Sequence, residues 1–343
     1  MQKHNNTIDA LRFVAALIVV LFHLAQALPI VNNWYRNTVK YGWLGVPVFF
    51  VISGYCIILS AHNSSNVKDF LCRRLFRIFP PYWFSLLIVG FAAVFQKLYI
   101  GSNAVHFLPK TAPEVLAMLT LTTSPLTNIK TINWVYWSLT YELFFYLTVF
   151  LALLFHKKTA ICFLIAVSVL SAVPQLHHIR LLFFLDQWPA FGLGISIYYY
   201  FKASDKISWL GFAALLTANL FSLIYLFYYH PEYIVVTLIT TSLIVASNYL
   251  HMPENIFSKL GQYSYSVYLI HVPIGVFILN LFESSYIQQH PFANLAYDIL
   301  VYLFINFIAW LIFTGIEKPS INEGRNISNK YFSTGKAKHT ASS

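Results

Sequence analysis

The sequence predicts an all-α integral membrane protein, a bundle of about ten transmembrane helices with both termini in the cytoplasm. Of its 343 residues, 58% are hydrophobic and only 10% are charged, and the mean hydropathy is +0.63. Soluble domains carry about 25% charged residues, so the composition excludes an ordinary soluble protein. Apolar runs long enough to span a bilayer recur along the chain, and the basic residues are unequally shared between the connections.

The apolar runs justify the predicted spans in order. They lie near residues 8–28, 43–61, 79–99, 134–155, 159–174, 181–201, 207–229, 233–250, 262–281 and 293–315. Proline is tolerated in the first turn of a helix, so we expect Pro80 and Pro81 to begin the third span. The longest outer connection, about 100–132, contains the semi-apolar stretch 114–127, which we expect to form a short re-entrant or interfacial helix.

The net charge of +10 does not indicate nucleic-acid binding, because the basic residues are not gathered in one soluble patch. With the N-terminus inside, the cytoplasmic pieces hold fifteen Lys and Arg residues, among them Lys3, Lys336 and Lys338, and the outer pieces hold six. Cytoplasmic loops of membrane proteins carry this excess. The count therefore predicts cytoplasmic termini.

The domain organisation is simple. We expect residues 1–321 to form one transmembrane domain and the polar residues 322–343 to be a disordered cytoplasmic tail. Cys56, Cys72 and Cys162 lie in or beside apolar segments and show no metal-ligand spacing, so no metal is predicted.

Arg12 and His23 lie in the first apolar run, "IDALRFVAALIVVLFH". Eleven residues are about three helical turns, so both side chains would leave one face of a helix about 16 Å apart along its axis. Ionisable groups in the membrane are costly and are functional candidates by default. The alternatives are an arginine that anchors the helix at the membrane surface and a histidine that bonds between helices.

Two further segments of the sequence contain charged residues that are functional candidates. In "KDFLCRRLFRIFPPYW", Arg74 and Arg77 are neighbours on one helix face, and their planar guanidinium groups suit phosphate oxygens as well as anionic lipid headgroups. In "NWVYWSLTYELFFYL", Glu142 is predicted at the depth of His23, with Ser138 one turn earlier. A carboxylate beside His23 would fix its tautomer and raise its basicity, although a purely structural contact is as good an explanation.

Other polar residues interrupt the spans singly. Ser53 and Tyr55 flank a glycine in the second span, Asp186 lies in an outer half, and His271 lies mid-span before Pro273, which we expect to distort the helix. Together these residues predict a polar outer cavity and a basic inner mouth.

The ordered set of motifs resembles the membrane-bound acyltransferase family 3, which acylates sugars of bacterial surface glycans. The matching segments are "LRFVAALIVVLFH", "GVPVFFVISGY", "RRLFRIFPPYW", "WSLTYELFFY", "YSYSVYLIH" and the closing "EKP". Pro47 departs from the acidic or polar residue that many relatives carry there.

The resemblance implies transfer of an acyl group, usually acetyl from acetyl-CoA, to a carbohydrate hydroxyl at the bacterial cytoplasmic membrane. It matches the family's arginine–histidine pair to Arg12 and His23, its loop arginine pair to Arg74 and Arg77, and its glutamate to Glu142. Our hypothesis is that His23 is the catalytic base and Glu142 orients its ring, while Arg74, Arg77 and Arg12 bind the phosphates of the acyl-CoA. Ser53, Tyr55, Ser138, Asp186 and His271 are expected to line the substrate site. The acceptor could be an O-antigen of lipopolysaccharide, another polysaccharide or a small glycoside.

Two alternatives stay open at this point. Transfer could pass through a covalent acyl-enzyme on Ser53, Ser138 or His23. A transporter or flippase for glycans or small solutes would also have many spans with intramembrane charges, although no inverted repeat is evident.

Overall fold

The computed structural model describes residues 5–101 and 108–332, and over these ranges it is helical without any β-strand. The helices are α1 (Asn6–Gln26), α2 (Trp34–Val39), α3 (Gly45–Asn63), α4 (Val67–Ile100), α5 (Ala112–Thr120), α6 (Trp137–Leu153), α7 (Lys157–Ser171), α8 (Pro174–His177), α9 (Trp188–Lys202), α10 (Lys206–Leu226), α11 (Pro231–Ser247), α12 (Ile256–Gly261), α13 (Ser264–Ile270), α14 (Ser285–Gln289), α15 (Pro291–Ile312) and α16 (Lys318–Tyr331). The predicted all-α class is confirmed for this part of the chain.

Seven helical segments within the described ranges are long and apolar enough to cross a membrane. They are Asn6–Gln26, Trp34–Asn63, Val67–Tyr99, Trp134–Leu153, Lys206–Leu226, Ser264–Phe282 and Pro291–Tyr331. Two shorter apolar helices cover Lys158–Ser171 and Pro231–Ser247. The chain is therefore a multi-pass membrane protein by the length and composition of its helices, while ten spans and cytoplasmic termini stay predictions.

Helix α4 begins earlier than expected. Its first turn is capped by Asn66, whose side chain accepts a hydrogen bond of 3.0 Å from the Asp69 backbone N–H. Pro80 and Pro81 consequently lie inside the helix and not in its first turn, so that prediction was wrong. The stretch 114–127 is helical only in its first half, as part of α5, which ends at Thr120 and begins with reciprocal capping bonds between Thr111 and Glu114. Its re-entrant or interfacial placement stays a prediction.

The predicted disordered tail is helical as far as Tyr331, so this expectation was wrong for residues 322–331. Two contacts to the start of α4 hold α16: the Ser328 hydroxyl bonds to Asp69, and Arg73 donates to Asn329 Oδ1 over 3.0 Å. These partners are distant in sequence, which is why composition alone does not reveal them. Lys3, Lys336 and Lys338 from the charge count lie outside the described residues.

The chain divides into two compact units, each built from three stretches. Unit 1 comprises Met1–Phe49, Tyr82–Thr140 and His230–Phe313, and unit 2 comprises Phe50–Pro81, Tyr141–Tyr229 and Thr314–Ser343. In unit 1, α1 packs against α11 and α12. In unit 2, α7, α9 and α10 pack together, and the core includes Phe145 stacked on Phe191 with ring centroids 4.2 Å apart.

Glycines set the closest helix contact in unit 2. A Cβ atom on Gly54 of α3 would lie 2.0 Å from the backbone oxygen of Phe191, and one on Gly194 of α9 would lie 2.1 Å from that of Val51. Distances this short cannot be accommodated without moving the two backbones apart. Close packing of α3 and α9 therefore requires small residues at this crossing.

We predict that Gly54→Ala destabilises the protein by at least about 1–3 kcal/mol, because the methyl group overlaps backbone that cannot yield easily. The matched control is Gly90→Ala in α4, where a Cβ would meet no described heavy atom within 4 Å apart from the adjoining backbone of its own helix. Alanine favours a helix interior over glycine, so the control should unfold at the same or a higher temperature. Thermal unfolding in detergent compares the two, and equal midpoints would contradict the close crossing.

Candidate active site

The sequence-predicted residues divide between the two units. Arg12, His23, Ser138 and His271 belong to unit 1, whereas Ser53, Tyr55, Arg74, Arg77, Glu142 and Asp186 belong to unit 2. The two sets are therefore described separately, and the pairing of His23 with Glu142 stays a prediction.

Arg12 and His23 share the uninterrupted helix α1, as predicted. The first turn of α1 is capped by Asn5, whose side chain accepts from the backbone N–H groups of Thr7 and Ile8. The helical rise separates Arg12 from His23 by about 16 Å along the axis. This confirms the geometry on which the sequence argument for the two residues depends.

Arg12 has an acidic neighbour that sequence reasoning missed. Its Nη1 atom lies 3.0 Å from Oδ1 of Asp9, a carboxylate that is almost entirely buried. Their spacing of three residues on one helix is the pattern that could have predicted the pair. An anionic group that approaches Arg12 therefore meets a guanidinium group whose charge is already partly balanced.

His23 lies beside a second imidazole. The ring centroids of His23 and His271 are 5.3 Å apart, and their planes are inclined by 35°. The Gln26 side chain lies next to the His23 ring. Nδ1 of the His23 ring is buried and has no hydrogen-bond partner among the described residues.

The protonation of His271 follows from its own hydrogen bond. Nδ1 of this buried ring lies 2.7 Å from the carbonyl oxygen of Tyr268. Because a carbonyl only accepts, Nδ1 carries the hydrogen, and in the neutral ring Nε2 carries the lone pair. Nε2 is buried and has no hydrogen-bond partner within the described ranges. Each imidazole of the pair therefore has one ring nitrogen available to another group.

Aromatic and hydroxyl side chains surround this histidine pair. The indole of Trp134 lies 6.2 Å from the His23 ring, centroid to centroid. The Tyr268 hydroxyl donates to the Val135 carbonyl over 2.7 Å and lies 2.6 Å from Ser138 Oγ. The structure thus brings the predicted residues His23, Ser138 and His271 into one neighbourhood through Tyr268, which the sequence analysis did not select.

The helix carrying His271 is distorted, as Pro273 predicts. After α13 the chain continues as a π-helical turn, His271–Val276, and the Phe277 N–H bonds to the Val272 carbonyl over 2.9 Å. Such turns are frequent at functional sites.

In unit 2, Glu142 is the centre of a second group. Its Oε1 atom accepts from Ser53 Oγ over 3.0 Å and from the Tyr146 hydroxyl over 2.7 Å. The Tyr146 ring faces the guanidinium group of Arg74, 5.3 Å from its centroid. A continuous line of contacts therefore joins Ser53, Glu142, Tyr146 and Arg74. The spacing of four residues between Glu142 and Tyr146 on one helix could have predicted the contact between these two.

The two predicted phosphate-binding arginines differ in exposure. Arg74 is 9% exposed and donates from Nη2 to the Cys56 carbonyl over 3.2 Å, while its buried Nε has no partner in the described chain. Arg77, one turn along α4, is half-buried. Arg73 is already paired with Asp69. Arg74 and Arg77 are therefore a better pair of donors for an added anion than Arg73.

The remaining predicted residues have ordinary packing contacts. Asp186 accepts from the Tyr141 hydroxyl over 3.0 Å, and Tyr55 is buried next to the Gly54 crossing. Neither contact identifies a ligand, so their assignment to the substrate site stays a prediction.

Comparison with known proteins gives several relatives, some of which are named for acetyl transfer. A protein of Acidianus two-tailed virus whose name proposes an acetyltransferase is 27% identical over 298 residues, 79% of this chain and 84% of that protein. Nodulation protein 10 of Rhizobium leguminosarum bv. viciae is 30% identical over 197 residues, 52% of this chain and 53% of that protein. A protein named for O-acetyl transfer in Staphylococcus aureus (strain COL) is 34% identical over 96 residues, 26% of this chain and 14% of that protein.

No solved structure matches the chain significantly. The family model described as "Acyltransferase domain", Acyl_transf_3, matches residues 5–314, which include all the candidate site residues. That match covers nearly the whole chain and confirms the family indicated by the motifs: the chain belongs to the Acyl_transf_3 acyltransferase family.

Proposed function

We propose that this protein transfers an acyl group, most simply acetyl, from cytosolic acyl-CoA to a hydroxyl of a surface-glycan sugar at the bacterial cytoplasmic membrane. The observation that carries the proposal is the histidine pair in unit 1, where His23 and His271 each present a ring nitrogen without a described partner. A base of this kind is what transfer to a hydroxyl needs.

The donor is expected to bind through its phosphates. Arg74 and Arg77 offer guanidinium groups one helical turn apart, and planar forked donors suit phosphate oxygens. Arg12 is a weaker candidate because Asp9 already balances its charge. A slender pantetheine arm lying along α1 would span the distance of about 16 Å between the level of Arg12 and that of His23.

The chemical step follows from the His23 ring. With its hydrogen on Nε2, the neutral His23 ring has its lone pair on Nδ1, the nitrogen without a described partner. Nδ1 takes the proton of the acceptor hydroxyl while the oxygen of that hydroxyl attacks the carbonyl carbon of the thioester. The carbon–sulfur bond then breaks, and the departing CoA thiolate takes the proton back from His23. The products are an ester and free CoA.

Glu142 is proposed as the carboxylate that supports this proton transfer. Ser53 and Tyr146 both donate to its Oε1 atom and thereby fix the orientation of the side chain. His271, with its lone pair on Nε2, is proposed to contact the acceptor hydroxyl beside His23.

We predict that Arg74→Ala and Arg77→Ala each weaken binding of acetyl-CoA by about tenfold, because each removes a charge-assisted bond to phosphate. His23→Ala should leave the affinity nearly unchanged, since His23 acts on the acceptor hydroxyl. Isothermal titration of the purified protein in detergent measures the three dissociation constants.

Arg73→Ala is the matched control for this series, because it removes the same charge from the adjacent position of α4. Arg73 is paired with Asp69, so its loss should not change the affinity for acetyl-CoA. Equal loss of affinity in His23→Ala and in the two arginine variants would contradict the division of roles, and so would an equal loss in Arg73→Ala.

We further predict that Glu142→Gln lowers kcat by at least about tenfold and leaves acetyl-CoA affinity unchanged, because a carboxylate that supports a catalytic base contributes through its charge. Glutamine keeps an oxygen that accepts from Ser53 and Tyr146, so the thermal midpoint should change little. Steady-state kinetics and thermal unfolding on the same preparation measure both quantities. An unchanged kcat with a lowered midpoint would assign Glu142 a structural role only.

A further inference from the structure

A second buried polar cluster lies in unit 1, outside the residues assigned above. It consists of Tyr35, Arg36, Glu283, Asn294 and Asp298, which are 2%, 8%, 8%, 0% and 0% exposed. Two carboxylates and a guanidinium group in such a place are costly unless their polar atoms are bonded. Whether this cluster is stable without a ligand therefore depends on how many of its polar atoms are bonded within the chain.

Half of each carboxylate is bonded internally. Asp298 Oδ2 accepts from the Tyr35 hydroxyl over 2.5 Å and from Asn294 Nδ2 over 3.5 Å. Asn294 Nδ2 also donates to Glu283 Oε1 over 2.8 Å. These bonds fix the positions of the two carboxylates and involve one oxygen of each.

The other atoms have no partner within the described residues. They are Oδ1 of Asp298, Oε2 of Glu283, Oδ1 of Asn294, and Nε and Nη2 of Arg36. Arg36 acts electrostatically on both carboxyl groups, yet among the described residues it forms no ion pair with either. Since buried polar groups are nearly always bonded, this concentration of unbonded donors and acceptors within one cluster indicates a polar ligand.

The cluster is joined to the helix end that carries His23. Nη1 of Arg36 donates to the Ala25 carbonyl over 2.6 Å, and Nδ2 of nearby Asn280 donates to the Leu24 carbonyl over 3.1 Å. Leu24 and Ala25 are the two residues that follow His23. A ligand held by this cluster is thereby held at the end of α1, next to the last turn containing the histidine.

The chemistry of the open atoms selects the ligand. The two carboxylates disfavour an anion, and Arg36 disfavours a cation. A hydroxyl group both donates and accepts, so adjacent hydroxyls can bond to carboxylate oxygens and to guanidinium N–H groups together. Burial and the neighbouring Asp298 raise the pKa of Glu283 to about 7, so near neutral pH this carboxyl group can also donate.

Two exposed aromatic side chains, Trp34 and Phe292, are close in sequence to residues of the cluster. Trp34 precedes Tyr35, Phe292 lies two residues before Asn294, and the two exposed rings are 5.4 Å apart. Polyhydroxylated rings present apolar C–H faces as well as hydroxyls, so an aromatic surface beside bonded hydroxyls suits them.

We propose that Arg36, Glu283 and Asp298 bind adjacent hydroxyl groups of a sugar ring and form the subsite for the acceptor. The identification of this sugar as the acceptor rests on the proposed acyl transfer, whereas sugar binding at the cluster does not. The two ideas can therefore fail separately.

The test uses variants that change only the open oxygens. Glu283→Gln and Asp298→Asn each keep an oxygen that accepts the internal bonds and replace the open oxygen with an NH₂ group. Saturation-transfer NMR on the full chain in detergent measures binding of the methyl glycosides of glucose, galactose, mannose and rhamnose. We expect at least one glycoside to bind, and each variant to weaken its binding by about tenfold, or about 1.4 kcal/mol.

Two controls separate binding from structure. Tetrahydropyran-2-methanol, a similar ring with one hydroxyl, should bind wild type and variants equally weakly. Tyr35→Phe removes an internal bond of Asp298 but leaves the open oxygen in place, so it should lower the thermal midpoint while glycoside binding persists. Retained glycoside binding in both Glu283→Gln and Asp298→Asn would overturn the proposal, as would a wild type that binds none of the four glycosides.

Acyl transfer measured on the same samples distinguishes the two failures. Glycoside binding that depends on Glu283 and Asp298 in a protein without transferase activity would support the sugar site and remove the proposed function. Where transfer is observed, the two variants should raise the KM for the acceptor and leave the KM for acetyl-CoA unchanged. A raised KM for acetyl-CoA instead would contradict the assignment of the cluster to the acceptor.

Discussion

The cost of placing charged side chains among apolar helices is the constraint on which this structure depends. A charge in the middle of a bilayer costs at least about 2.5–3.5 kcal/mol, so each one needs a partner that offsets its loss of hydration. The chain supplies such partners locally: Asp9 for Arg12, Ser53 and Tyr146 for Glu142, and the Tyr146 ring for Arg74. Against this background, we propose that another molecule contacts the buried atoms of His23, His271, Arg36, Glu283 and Asp298 that have no described partner.

The position of His23 results from close contacts along the whole of α1. A Cβ atom on Gly261 would lie 1.7 Å from the backbone oxygen of Asp9, and one on Gly42 would lie 2.1 Å from the backbone oxygen of Ile18. The segments that carry these two glycines therefore pack directly against the backbone of α1. At the other end of α1, Arg36 and Asn280 bond the carbonyls that follow the histidine. A helix held at several levels keeps its side chains in fixed places, which a base acting on a bound hydroxyl requires.

The features that depend on a local pattern of residues could be predicted from the sequence. Apolar runs predict the helical class, the eleven-residue spacing predicts the shared helix of Arg12 and His23, and Pro273 predicts the distortion beside His271. Asp9 and Tyr146 were missed although helical spacing indicates them. Other features depend on contacts between distant segments, which no local pattern contains: the approach of His271 to His23, the bond between Ser138 and Tyr268, and the helical tail held by Asp69.

The central claim is that a sugar hydroxyl is acylated with His23 as the base, and labelled donor tests it most directly. Membranes containing wild-type protein or His23→Ala receive acetyl-CoA labelled in the acetyl group, and base-labile label is counted in the glycan and lipid-linked glycan fractions. The proposed function predicts label with wild type and a loss of about 10²–10⁴-fold with His23→Ala. Equal labelling by both would contradict the role of His23, and no labelling by either, across several acyl-CoA donors with native glycan present, would contradict acyl transfer to glycans.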